Sequence, residues 1–91
     1  MEFNGYKIKP YAILVGADLR RGELKSALLL CADLSGANLY CADLEDANLY
    51  CADLPNANMS GANLFNADLS GANMSGANLL NAVLSNAKLL N

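Results

Sequence analysis

Apolar and polar positions alternate along this chain with a period of five. From Ala12, alanine recurs at every fifth residue as far as Ala87, with Gly22 the one exception in sixteen positions. Two residues after each comes a second apolar column, Leu14 to Leu89, which is leucine throughout except at Met59 and Met74. The register holds over sixteen consecutive units without an insertion, which is the mark of a repeat architecture. A helix does not suit this spacing. A step of five residues overshoots a full helical turn by about 140°, so the leucines would scatter around the cylinder instead of forming a stripe. A plain strand fails as well, because an odd step sends successive leucines to opposite faces. Period five works when each unit is a short extended piece followed by a corner. Ala and Leu then face the same side, and each corner turns that side inward again.

The remaining columns fit this reading. Between Ala and Leu stand Asp18, Glu23, Asp33, Asn38, Asp43, Asn48, Asp53, Asn58, Asn63, Asp68, Asn73 and Asn78. Short polar side chains of this kind point outward and bond nearby backbone amides, as in Asx turns. The last two columns collect turn formers, among them Ser35-Gly36, Pro55-Asn56, Ser60-Gly61, Ser70-Gly71, Ser75-Gly76 and Ser85-Asn86, so the corners are expected there.

Units such as Ala32-Asp33-Leu34-Ser35-Gly36 and Ala72-Asn73-Met74-Ser75-Gly76 resemble the A(D/N)LXX signature of the pentapeptide repeat family, and the resemblance runs from Ala12 to Asn91. It implies an all-β fold: a right-handed quadrilateral β-helix, a solenoid of about four coils with four pentapeptides each. The expected organisation is an N-terminal arm or cap over residues 1–11 and the β-helix over 12–91. Residues twenty apart then stack on one face, which turns the sequence into a surface map.

On the face of Leu29, that map brings together Leu28, Leu30, Cys31, Tyr50 and Cys51, with Leu28 standing where Asp or Asn is usual. This apolar patch reads either as a partner surface or as ground covered by the arm, whose Phe3, Tyr6 and Ile8 could equally close the open first coil. Ile13 and Val15 fall in outward columns and fit an arm packed on that coil. The face of Leu24 gathers Glu23, Asp43, Glu45 and Asp46 with Lys25 and Phe65. It reads as a solvated acidic strip, or as a weak cation site or a mimic of nucleic-acid phosphates; no calcium-loop ligand set is visible in it. At the far end, Leu79, Leu80, Val83, Leu84, Leu89 and Leu90 form a final coil with no cap beyond it. Members of the family dimerise end to end through such a coil, so the resemblance implies a homodimer.

Composition and charge narrow the function. With 91 residues the chain makes one small domain, and 54% hydrophobic content is too high for a disordered tail. Absence of histidine, of a glycine-rich phosphate loop and of any nucleophile–base pair argues against an enzyme, a cofactor or a metal centre. Net charge is −3, and no basic residue occurs between Ser26 and Ala87, which disfavours nucleic acid. No apolar run is long enough to cross a bilayer, and the residues Met1 to Gly5 do not read as a signal peptide. A cytoplasmic protein with free thiols at Cys31, Cys41 and Cys51 is therefore expected, and the family resemblance implies a bacterial source. The functional expectation is a non-catalytic structural or protein-interaction module of unknown partner. The family resemblance implies as the alternative a DNA-mimic protein that binds a topoisomerase such as gyrase, although four coils are short for it.

Overall fold

The computed structural model describes residues 1–90; Asn91, the last position of the sixteenth unit, lies outside the described residues. From Ile13 onward the chain winds as a four-sided solenoid. Its coils are joined by parallel bridges between residues twenty apart, from Ile13 with Asp33 to Asp68 with Lys88. Four such bridges link each coil to the next, one per side. Every bridging residue belongs to the column between Ala and Leu, so the extended piece of each unit is centred there.

Each corner is a four-residue turn in which the N–H of the next Ala donates to the C=O of the preceding Leu, as from Ala37 to Leu34 at 3.0 Å. The last residue of every unit from Gly16 to Asn86 has positive φ, while the residue before it does not. One positive φ in the second central position, with that hydrogen bond, defines a type II turn. This explains the Gly and Asn of the last column, and Pro55 before Asn56, since proline suits the first central position. Arg21, Ser26, Cys31, Cys41, Asp46 and Cys51 hold the same left-handed conformation at φ between 55° and 61°. For residues of this kind that conformation costs roughly 1–2 kcal/mol, and each is held in it by a backbone hydrogen bond to the next coil, as from the Arg21 N–H to the Tyr40 C=O at 2.8 Å.

The outward Asx residues clamp these corners. Asn38 Oδ1 accepts from the Tyr40 N–H at 3.1 Å, and the same bond recurs from Asp33 to Asn78 wherever a donor exists. Asp53 is the exception because Pro55 carries no N–H.

The core is the two inward columns. Leu19 to Leu69, including Met59, are 0–1% exposed, and the alanines from Ala17 to Ala67 are buried beside them. Each such leucine contributes ~1.5–3 kcal/mol of burial. At Gly22 a Cβ would meet the Leu19 carbonyl oxygen at 3.0 Å and the Leu24 side chain at 3.2 Å, so even alanine is tight in that unit.

The arm forms a two-residue hairpin of β1 (Glu2–Phe3) and β2 (Tyr6–Lys7), turned by Asn4 and Gly5, both at positive φ as a type I′ turn requires. It lies against the first coil. Ile8 is 3% exposed within the core, with Phe3 and Tyr6 half-buried against it. The Asp18 backbone is taken up at both ends: its N–H donates to the Tyr6 hydroxyl and its C=O accepts from Asn4 Nδ2. Of the two courses open to the arm, closing the coil end is the one adopted. The expectation that it also packs over Ile13 and Val15 is not met, since these remain 76% and 60% exposed. A hairpin this short spans the mouth of the solenoid and does not reach around its sides.

Candidate functional site

Three surfaces follow from this winding. The first is the face of Leu29, where Leu28 and Tyr50 are exposed while Leu30, Cys31 and Cys51 are half-buried. All five predicted residues fall on this one face, and Tyr11 extends the patch at its lower edge. The three cysteines are free thiols, with Cys41 on the opposite side. A hydrogen bond to the Cys31 thiol raises the Tyr11 phenol above its ordinary pKa, and one to Cys51 does the same for Tyr50.

The second is the acidic face of Leu24, where Asp43, Glu45 and Asp46 are tied to their neighbours. Lys25 Nζ stands 3.3 Å from Glu45 Oε1, one coil apart. Asn66 Nδ2 donates to Asp46 Oδ1 at 2.6 Å, and Asn63 Nδ2 reaches Asp43 and Glu45 at 3.4 and 3.5 Å. Among the described residues there is no group of three or more acidic or cysteine side chains arranged to hold a metal ion.

The third is the final coil. Leu80 and Leu90 are 67% and 81% exposed, Val83 and Leu89 about half exposed, and Leu79 and Leu84 half-buried. The predicted six residues therefore share one end of the rod. Met74, Leu79 and Leu84 have backbone N–H groups without an acceptor among the described residues, whereas Leu54, Met59 and Leu64 one coil earlier donate at 2.7–2.8 Å.

A shallow cleft that sequence reasoning missed lies beside the arm, lined by Phe3, Asn4, Asp18, Arg20, Arg21 and Tyr40. Arg20 pairs with Asp18 through two contacts of 2.8 Å, which hold the carboxyl below the usual carboxylate range and raise the guanidinium. The Arg21 guanidinium sits 5.5 Å from the centre of the Tyr40 ring, a cation–π distance. The surface map contained this pair, since Arg21 and Tyr40 are nineteen residues apart.

The pentapeptide repeat model, in eight copies, matches residues 27–64 and 62–91. The chain is a pentapeptide repeat protein. Its winding is the right-handed quadrilateral β-helix of that family. Among solved structures it is similar to a pentapeptide repeat protein of the Arabidopsis thaliana thylakoid lumen. That match has 32% identity and a TM-score of 0.67, over 93% of this chain and 57% of the other. It is also similar to HetL, a pentapeptide repeat protein involved in heterocyst differentiation regulation in the cyanobacterium Nostoc. There the identity is 40% and the TM-score 0.51, over 86% of this chain and 38% of HetL. The chain thus spans less than two thirds of either relative. A search of curated proteins by sequence finds no match.

Proposed function

We propose that this pentapeptide repeat protein is a non-catalytic interaction module that associates end to end with a second copy through its final coil. The observation that carries the reading is the exposed apolar surface of the last described coil. Backbone donors at Met74, Leu79 and Leu84 stand in the positions that, in every earlier coil, bond to a further turn of the solenoid. Around them lie Leu80, Val83, Leu89 and Leu90, an apolar rim that a second copy would bury. The same edge carries carbonyls at Ala72 and Ala77 without a donor among the described residues, so it offers acceptors as well as donors to an identical edge. A two-fold arrangement uses one patch twice and closes without propagating.

Light scattering over a concentration series tests this. The expected mass is twice the 9.6 kDa of one chain, returning to one chain when Leu80 and Leu90 are both changed to Glu with the fold intact. A mass that stays at one chain at the highest concentration contradicts the reading.

A further inference from the structure

On the face of Leu29 the corner residues form a vertical column of Tyr11, Cys31, Cys51 and Gly71. Cys31 donates its N–H to the Tyr50 carbonyl and Cys51 to that of Ser70, each at 2.8 Å, so the two cysteines occupy the same corner of consecutive coils. Both have φ of 55°. Residues stacked in this way lie one strand spacing apart, ~4.8 Å, which falls inside the Cα separation that disulfides bridge.

The other cysteines show where a sulfur goes at such a corner. Cys41 Sγ and Cys51 Sγ each stand 2.9 Å from where a Cβ would sit on the glycine one coil further, Gly61 and Gly71 respectively. Glycine leaves that space open. Above Cys31, however, stands Cys51, which has a Cβ. A Cys31 sulfur turned the same way would come closer to that Cβ than non-bonded atoms allow. Yet the separation matches the distance of about 3 Å between a sulfur and the far Cβ across a disulfide. With the Cys31 side chain turned toward the next coil and the Cys51 side chain swung back from Gly71, the two sulfurs of this column would meet at disulfide geometry.

We propose that Cys31 and Cys51 close a reversible disulfide that ties the first coil to the second, leaving Cys41 out. Both thiols are partly exposed, so a small disulfide or an oxidised dithiol protein can reach them. One cysteine thiolate attacks that exchangeable disulfide, forming a mixed disulfide and expelling one thiolate. The second cysteine thiolate then attacks the protein-bound sulfur of the mixed disulfide, the Cys31–Cys51 bond forms, and the other half of the reagent leaves. Two electrons pass from the protein sulfurs to the reagent, and the two protons of the cysteines end on its two thiols. Cys41 shares the conformation and the partial exposure, but its column runs Arg21, Cys41, Gly61, Asn81 and offers no second sulfur.

The test is equilibration of the full chain in buffers of reduced and oxidised glutathione, followed by acid trapping, alkylation and peptide mass spectrometry. The expected product is a single chain that has lost two hydrogens, with a Cys31–Cys51 cross-linked peptide and Cys41 either alkylated or bearing glutathione. Cys41→Ser leaves the cross-link in place, and Cys31→Ser or Cys51→Ser abolishes it. Serine is compatible with the corner, since Ser26 holds it at φ 61°. The oxidised chain should also melt higher by on the order of 10 °C, because the bond closes a twenty-residue loop; Cys51→Ser removes that rise. Separate glutathione adducts on each cysteine with no internal link would overturn the proposal, as would a link through Cys41 or between chains in equal yield.

Discussion

The first and last described coils of this solenoid are built from the same five-residue unit and differ in how far it is buried. In the first coil, Leu14, Leu19, Leu24 and Leu29 are 0–3% exposed although no coil lies beneath them. In the last, Leu79 and Leu84 are only half-buried and Leu89 is 50% exposed. The difference is made by a few residues outside the repeat. Ile8, Phe3 and Tyr6 supply the apolar floor, and Asn4 and the Tyr6 hydroxyl take up the Asp18 backbone. A coil is thus stable as an interior element anywhere in the stack, while its behaviour at an end depends on what closes it.

The comparison can be broken most sharply with a charge. Ile8→Asp places a carboxylate in the closed floor and is expected to cost several kcal/mol, enough to unfold the first coil. Leu89→Asp, at the open end, should cost under about 1 kcal/mol. Equal losses in urea titrations would show that the ends do not differ. A milder version uses cavities: Leu19→Ala should cost ~2–5 kcal/mol, against about half as much for Leu84→Ala, whose site already meets solvent. In the interior, Ala52→Leu has no room and should destabilise by ~1–3 kcal/mol. An unchanged melting point there would undo the inward assignment of the alanine column.

The smallest effect concerns pH. Ser35 holds the Asp33 carboxyl below the usual carboxylate range, chiefly through its hydroxyl. For Asp68 the Ser70 backbone N–H is the main cause, and for Asp18 it is Arg20. A carboxyl with a depressed folded pKa stabilises the protein above its unfolded value, and that stability is lost as pH falls through the folded pKa. Stability should therefore be level near neutrality and fall below about pH 4. Asn at positions 33 and 68 keeps the corner clamp, as Asn38 and Asn58 do, and should flatten the acid limb while leaving the neutral melting point in place. An acid limb as steep as in the parent chain would remove this assignment.

Much of this is legible in the sequence itself. The period of five places Leu and Ala inside, and the Asx column outside. The Gly, Asn and Pro-Asn pairs mark corners that need positive φ at their second central residue. The twenty-residue map also placed Lys25 beneath Glu45 and Cys31 beneath Cys51. The destination of the arm was not legible. Nothing in residues 1–11 repeats, so no register says whether Phe3 and Tyr6 go over the mouth or along the side. The exposed Ile13 and Val15 point the wrong way for that reason. Their apolar character suggested cover, but the hairpin turned by Asn4-Gly5 is too short to reach them. The left-handed cysteines and Arg21 were equally hidden, because their conformation comes from the coil ladder and runs against their own preferences.

Amide hydrogen exchange, resolved by residue, tests the central claim most directly. In dilute protein, the N–H groups of Leu19 and Leu24 should be protected to the level of the interior coils, and those of Leu79 and Leu84 should exchange as open amides. On concentration the distal amides should gain protection while the proximal ones stay unchanged. Equal protection at both ends in dilute protein would contradict the account.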